Sequence, residues 1–578
     1  MSSHTNSRLE PDTSSQPELP VLHPLYYLDN FELVLAWVGS RYDDVLNTEE
    51  KQFIAQFAQM PQASRALFVR MVMRKGELFR ASKLHYDEIG DTATAMQPLI
   101  DVAWVIADPA LGLVELFDLL LKPELAAAFA LTPAQKQLKK ADLFAQLSQQ
   151  AQYQQDEAGL VQAFSQWCPR IDDVVWQIQI KELCHRLRLI FFGNSHQDWS
   201  EFVLSDLGIY QYETIDFSPE ARGFQSRRDI DDYLALQSCR DAFELCTTIE
   251  EIEQLVTQVQ LLQIPNAWIE RRRHKLFFHI GQHLEKQQAW PLAQQVYAAS
   301  CYPGARQRRI RVLEKMGETN AAVALLNEAL AAPESEAELQ QLQRSAPRLL
   351  SKSTKKLEKN KEKKVALEVN TVHLQLPYPQ QDFYVEEVVR EHLHRDHAPV
   401  FYVENTLLNS LLGLLCWPAI FKALPGAFFH PFHRGPVDLT SEDFVARRAE
   451  DFAQCFALLD TDAYQERIRQ TYREKYGKQS PFVFWESVDG DLLELALQCI
   501  PPAHLRHWFE RILADIKSNR SGFPDLIQFF PAEARYQLVE VKGPGDKLQD
   551  NQIRLIEFCH RHDLPISVCY LRWQTESP

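Results

Sequence analysis

GFPDLIQFFPAEARYQLVEVKGPGDKLQDNQ occupies Gly522–Gln552, and its pattern is that of two short strands broken by a turn. LIQFF and YQLVEVK are rich in β-branched and aromatic residues, while PAEA between them has the composition of a connection. The spacing predicts a strand or tight turn that delivers Asp525, a hairpin through FFPAEARY, and a second strand carrying LVEVK. Side chains alternate along a strand, so Glu540 and Lys542 share one face while Val541 points into the core. Asp525 and Glu540 then meet at one sheet edge, with the amine of Lys542 beside them.

Two carboxylates and an amine in that arrangement have a chemical logic. A hard divalent cation such as Mg²⁺ or Mn²⁺ takes oxygen ligands, commonly one or two carboxylates completed by water and substrate phosphate. Asp525, Glu540 and the backbone carbonyl of Val541 are the candidate ligands. Lys542 is the candidate group to orient a water or stabilise charge developing on a phosphoryl oxygen. The reaction such a trio supports is phosphodiester hydrolysis. A surface hairpin with a Glu/Lys pair, worth about 0.2–1 kcal/mol, carries the same letters. Spacing alone does not separate the two readings.

The surrounding chain narrows the choice. Its 578 residues suit about three to five domains at the usual domain size. Apolar residues make up 46% and charged residues 24%, and no stretch has the ~18 uninterrupted apolar residues of a membrane span. The first twenty residues are polar and rich in Ser and Pro, which predicts a disordered tail over 1–20 in a cytoplasmic protein, nucleoid-associated if bacterial. The ten cysteines include no C-x-x-C pair, so neither a zinc ribbon nor a disulfide framework is indicated. A formal charge of −17 excludes indiscriminate adhesion to a polyanion, because counterion release needs Lys and Arg facing phosphates. Any nucleic-acid contact must be local. The basic runs RRRHK (Arg271–Lys275), RQRRIR (Arg306–Arg311) and KSTKKLEKNKEKK (Lys352–Lys364) are candidates, although such runs are more often solvated faces.

Periodicity gives the organisation. Residues 21–80 repeat apolar positions at helical spacing, with little to suggest strands. LTPAQKQLKKADLFAQLSQQ (Leu131–Gln150) places Thr132 as an N-cap and Pro133 at the first helical position; Leu138 is out of phase with the Leu143/Leu147 face, which predicts two short helices with a basic edge between them. Ala289–Ala332 alternates paired helices with short turns, as helical repeats do. A linker is expected over 351–365, and from 366 helices mix with strands.

Together these motifs resemble the Fanconi-associated nuclease family in its bacterial form, within the VRR-NUC branch of the PD-(D/E)xK nucleases. The matching residues are GFPDL at Gly522–Leu526, LVEVKGPGDKL at Leu538–Leu548 followed by Gln552, VENTLLNSLLGLLCWPAIF at Val403–Phe421, and GPVDL at Gly435–Leu439. The fold class this resemblance implies is multidomain: α-helical N-terminal and middle regions, then a C-terminal α/β PD-(D/E)xK nuclease domain. Its expected parts are a helical region at 21–80, a SAP-like DNA-binding region at 81–165, a tetratricopeptide-like helical domain at 166–350 and a VRR-NUC domain at 366–578. It adds Glu404, at the opening of the apolar helix, to Asp525, Glu540 and Val541 as a metal ligand, and gives Gln552 a supporting place in the active site.

The family also implies a pocket for a 5′ phosphate. Matching positions are Lys517 and an arginine of GARQRRIR, Arg306 or Arg308, while Asn551 stands where a lysine is expected. With Lys139 and Lys140 of the SAP-like LKKADLFAQL, these are the expected DNA contacts. The implied activity is that of a divalent-metal-dependent DNA endonuclease and 5′–3′ exonuclease, of phosphodiesterase I type. It cuts near 5′ flaps and branch points and serves interstrand-crosslink repair, with branched or flapped DNA as partner and no membrane.

Competing signals are weaker. His392, His394 and His397 have spacings that spread them over different faces rather than pairing them as zinc ligands. No G-x-x-x-x-G-K-[ST] stretch is present, so ATP-driven unwinding is not expected. The rival readings are a junction-resolving or restriction-type nuclease on the same core, and a DNA-binding scaffold without chemistry. Asp525, Glu540 and Lys542 all being present disfavours the scaffold.

Overall fold

The computed structural model describes residues 23–150, 160–197, 199, 210–352, 370–379 and 383–574. The tail expected over 1–20 and nearly all of the linker expected over 351–365 lie outside the described residues. The chain forms two compact units, 1–210 and 211–578.

The first unit is built on helices Tyr26–Arg41, Thr48–Gln59, Gln62–Val72 and Lys181–Phe192. Phe31, Phe57 and Phe68 are fully buried among them, with ring centroids 5.1–6.4 Å apart. The second helix starts at a capping box in which Asn47 accepts from the Glu50 amide and Glu50 reaches back to the Asn47 amide. Short strands follow: β1 (Leu78–Arg80), β2 (Val105–Ala107), β3 (Ala110–Leu111), β4 (Gln162–Ala163) and β5 (Val175–Ile178). β5 lies between β1 and β2, antiparallel to both.

The N-terminal region is helical as expected, with this small sheet added to it, and residues 166–192 fall in the first unit rather than with the helical repeats expected from 166. Strands of three or four residues hold at most two periods of alternation, and their pairing partners lie about 70–100 positions away, so local pattern does not reveal them. The break at Leu138 is as expected: helices Pro133–Gln137 and Lys140–Ser148 flank it, and Thr132 caps the first. Leu143 and Leu147 bury against Leu116, Phe117 and Trp167.

The second unit begins with helices Arg227–Leu245 and Ile249–Leu261, then Ala267–Lys286, Trp290–Ala298, Ala305–Met316, Thr319–Ala331 and Glu336–Lys352, each in contact with the next. Gly281 makes one of these packings possible, because a Cβ there would sit 2.6 Å from the Tyr297 ring. The last repeat helix meets the nuclease portion through a bidentate ion pair, Arg344 to Asp550 at 2.5 Å, and through Arg554 to Gln340 at 2.7 Å.

The sheet of this unit contains β6 (Thr371–Leu376), β7 (Val400–Tyr402), β8 (Leu526–Phe530), β9 (Arg535–Lys542) and β10 (Ile566–Trp573), ordered β6-β10-β9-β8-β7. β8 and β9 form the antiparallel hairpin read from sequence, with Leu526 opposite Val539. β10 runs parallel to β9 after a crossover through helix Asp550–Arg561. One face packs Leu526, Val539 and Val541 against Val389 of helix Val385–Leu393. The other packs Ile527, Phe529 and Leu538 into the large core with helix Leu407–Leu415 and Trp508.

GPVDL has a structural explanation inside that core. Asp438 is 2% exposed and accepts from both terminal nitrogens of fully buried Arg448 (2.9 and 3.0 Å) and from Arg447 (2.6 Å). Removing one partner of a buried ion pair strands the other without water, at a cost of about 3–5 kcal/mol. Asp438→Ala should therefore lower the unfolding free energy obtained from chemical denaturation by that amount; a loss below ~1 kcal/mol would show that Arg448 finds another acceptor.

Candidate active site

The β8–β9 register places Asp525 one residue beyond the Leu526–Val539 pair, which sets it opposite Glu540. Asp525 is fixed at both ends of the residue: its carbonyl accepts from the Val403 amide at 2.8 Å, and its Oδ2 accepts from the Val541 amide at 2.8 Å. Glu540 and Lys542 share a strand face, and Lys542 Nζ donates to Glu540 Oε1 at 2.7 Å. The same oxygen accepts from Gln552 Nε2 at 2.6 Å. Gln552 also accepts from the Gln549 amide at 2.9 Å, so one side chain starts the crossover helix and holds Glu540.

Glu404 joins from the other side, though not as the first residue of a helix. It sits in the turn between β7 and helix Leu407–Leu415, correcting the expectation that it opens that helix. Tyr402 donates to its Oε2 at 2.5 Å, and Asn405 Nδ2 donates to its Oε1 at 3.1 Å. Asn405 has φ of +54°, a left-handed conformation that asparagine tolerates better than most residues, and its Oδ1 accepts from the Phe523 amide at 3.0 Å. One asparagine thus ties the Glu404 turn to the loop that delivers Asp525. Sequence reasoning missed Asn405 and Tyr402; only their adjacency to Glu404 hinted at them.

Burial sets the electrostatics. It pushes Asp525 up to about 6, against opposing pulls from the Val541 amide and Lys542, while Glu386 and Glu404 add repulsion. Burial and then the charge of Asp525 push Glu540 up to about 7. Glu386, at the start of helix Val385–Leu393, is a further acidic contributor that the motif did not single out. The donor set suits a hard cation: desolvated carboxylates that repel one another and that a positive charge would relieve. Among the described residues they do not close into a ready-made ligand cluster. Tyr402, Lys542 and Gln552 hold the oxygens instead. Glu404, Asp525, Glu540 and the Val541 carbonyl are the groups that would hold a metal.

The expected DNA contacts fare differently. Arg306 is engaged by Glu338 at 2.7 Å and by the Ala332 carbonyl at 2.8 Å; Arg308 pairs with Glu285 at 3.1 Å, beside the Tyr297 hydroxyl that donates to the same carboxylate. Lys517 lines a cavity with Glu334, Glu338, Glu442 and Asp515, and its Nζ stands 5.8 Å from the Tyr302 ring centre. Acidic groups outnumber the lysine on that wall, and burial, with Glu338 and Glu442 repelling, raises the Glu334 carboxyl. All three positions thus stand beside carboxylates. In the first unit, Lys140 donates to the Leu120 carbonyl at 3.0 Å, whereas Lys139 is exposed.

Comparison with known proteins defines the class. Residues 460–573 match the VRR-NUC domain, 25–106 the FAN1 HTH domain, and 110–167 the Fanconi anemia-associated nuclease SAP domain, so the chain is a DNA nuclease of the VRR-NUC type. It is 50% identical over 97% of its length to 98% of the Fanconi-associated nuclease 1 homolog of Pseudomonas aeruginosa, and 22% identical to that of Arabidopsis thaliana over 96% of this chain and 68% of the plant protein. It is also similar to a crystal structure of paFAN1 bound to 2nt 5′flap DNA with gap, at 49% identity and a TM-score of 0.83 over 97% of this chain and 100% of that one. This chain belongs to the Fanconi-associated nuclease family. Nucleases of the PD-(D/E)xK type depend on a divalent metal. Among the described residues no helix is long and apolar enough to cross a membrane.

The raised carboxyls predict a pH signature independent of turnover. Asp525 (about 6) and Glu540 (about 7) hold protons in the folded chain that the unfolded chain releases near pH 4. Their contribution to stability is thus present at low pH and lost as pH rises through 6–7. Asp525→Asn, stripped of metal, should melt higher than the parent at pH 8, by a margin that narrows as pH falls through 6 toward 4. Divalent metal should raise the parent's melting temperature more at pH 8 than at pH 5.5, with the variant largely unresponsive. Thermal melts with and without chelator at both pH values measure this, and a pH-independent metal response contradicts the assignment.

Proposed function

We propose that this chain hydrolyses DNA phosphodiester bonds near 5′ flaps and branch points, with Mg²⁺ or Mn²⁺ held by Glu404, Asp525, Glu540 and the Val541 carbonyl. The observation that carries the reading is the desolvated Asp525–Glu540–Lys542 cluster at the sheet edge. It occurs in a chain similar throughout to a nuclease crystallised on flap DNA. Family membership supports 5′–3′ exonuclease action and a role in interstrand-crosslink repair, in the cytoplasm and at the nucleoid if the source is bacterial.

A divalent cation, when bound, neutralises phosphoryl oxygens and lowers the pKa of water. The protein does the positioning. The Val541 amide aims one oxygen of Asp525, and Gln552 holds Glu540 so that Lys542 can leave it for the substrate. Lys542 then orients the attacking water or stabilises negative charge on the phosphoryl oxygens. Water adds to phosphorus as the bond to the leaving oxygen breaks, and the water's proton passes through the site to that oxygen.

End-labelled 5′-flap, 3′-flap, four-way-junction and blunt duplex DNAs test the reading. The 5′ flap should be cut fastest, and Asp525→Ala should abolish cutting while leaving DNA binding measurable. Preference for the four-way junction would favour a resolvase, and no metal-dependent cutting of any substrate would favour a scaffold. Lys542→Ala should lower kcat about 10²–10⁴-fold with KM little changed; a rise in KM alone would make Lys542 a binding residue.

The acidic cavity around Lys517, together with Asn551, supports a further expectation. Asn551 lies against Gly522, where a Cβ would come within 2.4 Å of its Nδ2. Flaps ending in 5′ phosphate and in 5′ hydroxyl should be cut at rates within a few-fold of each other. A large preference for the phosphate, measured in parallel single-turnover reactions, would locate an anchor elsewhere.

A further inference from the structure

Helices Arg227–Leu245 and Ala267–Lys286 enclose a cavity of about 370 Å³, apart from the residues assigned to metal or flap chemistry. Its floor is apolar: Leu236 and Leu276 are buried, and Phe243 is half-buried. Its wall carries Arg240 from one helix and Arg272 and Lys275 from the other, with the His279 imidazole on the same face; the last three stand at i, i+3 and i+7. Glu244 is the single carboxylate among the lining residues, and its 3.9 Å pair with Arg240 is loose and solvent-exposed. Such a pair contributes little and opens readily. Among the described residues neither Lys275 nor His279 makes an ion pair. A cationic cavity of this kind is unusual in a chain of net charge −17.

The aromatic groups decide what class of anion fits. Tyr233 is 3% exposed; its ring stacks on Trp268 at 5.7 Å and 21°, and the Arg272 guanidinium lies 4.8 Å from its centre while donating to its hydroxyl at 3.0 Å. Neither of these rings leaves an open face for a nucleobase, and Phe243, the remaining phenyl ring of the lining, meets His283 edge to face at 5.5 Å, so the cavity lacks the run of aromatic platforms on which successive bases of single-stranded DNA stack. A bare phosphate would leave the Leu236–Phe243–Leu276 floor wet. The space suits one large apolar side chain flanked by carboxylates, since cations stand on both sides of the floor.

We propose that this cavity docks an acidic peptide segment of a partner protein, with one bulky apolar side chain seated on Leu236, Phe243 and Leu276 and flanking carboxylates against Arg240, Lys275 and His279. The occupied volume is that of a short linear segment, not of a folded domain. Charge attraction across the rim makes the contact salt-sensitive.

Fluorescence anisotropy on the full chain tests it with a labelled, end-blocked peptide of sequence Asp-Asp-Phe-Asp-Asp. Saturable binding with a Kd on the order of 10–100 µM is expected at low salt. Replacing the peptide's Phe by Ala, or reversing charge with Arg240→Glu plus Lys275→Glu, should weaken it at least about tenfold, as 1.4 kcal/mol does. Phe243→Ala supplies a second variant that leaves the rim charges in place and should also weaken binding. Flap cleavage by Phe243→Ala should stay within twofold of the parent, and circular dichroism with thermal melts should show that the charge-reversed chain folds. Failure to saturate, equal binding of the Ala peptide, or tighter charge-dependent binding of a single-stranded oligonucleotide at this cavity would overturn the proposal.

Discussion

Two buried carboxylates facing each other across one antiparallel register are the constraint on which the nuclease portion is organised. Asp525 and Glu540 stand opposite because Leu526 pairs with Val539, and both side chains are almost withdrawn from water. Left alone, such a pair is costly, since burial and mutual repulsion both penalise ionisation. The surroundings answer with donors: the Val541 amide for Asp525, Lys542 and Gln552 for Glu540, Tyr402 and Asn405 for Glu404. These donors come from β9, the crossover helix, β7 and the turn that follows it, so all four must be in place at once.

That dependence explains why the core around the site is so rigidly built. Helix Leu407–Leu415, buried along its entire length, anchors the Glu404 turn, and Gly413 lets it approach Phe482 and Val483 closer than any Cβ would permit. Asn409 donates to the Asn405 carbonyl and to that of Arg520, joining the turn to the segment ahead of Asp525. The Asp438–Arg448 pair does similar work farther off. GPVDL accompanies the nuclease motifs in the sequence, and its Asp438 is engaged in the core by Arg447 and Arg448.

The helical repeats show a different economy of charge. Arg306 and Arg308 belong to a strongly basic run, yet carboxylates of neighbouring repeat helices engage both. Glu285 alone meets Arg308, Arg311 and the Tyr297 hydroxyl. Cationic surface facing a cavity is found instead between helices Arg227–Leu245 and Ala267–Lys286, where Lys275 of the RRRHK run is exposed.

By itself the sequence determined the hairpin, the shared face of Glu540 and Lys542, the capped helix pair around Leu138 and the repeat-like middle region, because each follows from local period or cap chemistry. It also determined the catalytic candidates, because strand alternation and the ordered motifs converge on the same residues. Tertiary structure alone decided that β5 joins β1 and β2, since those strands are too short to announce partners so far along the chain. It also decided that Glu404 lies in a turn tied down by Asn405, and that Arg306 and Arg308 stand beside Glu338 and Glu285. A residue's type and spacing fix the charge it can offer; which neighbour receives that charge depends on elements far away in the chain, which only the folded packing brings together.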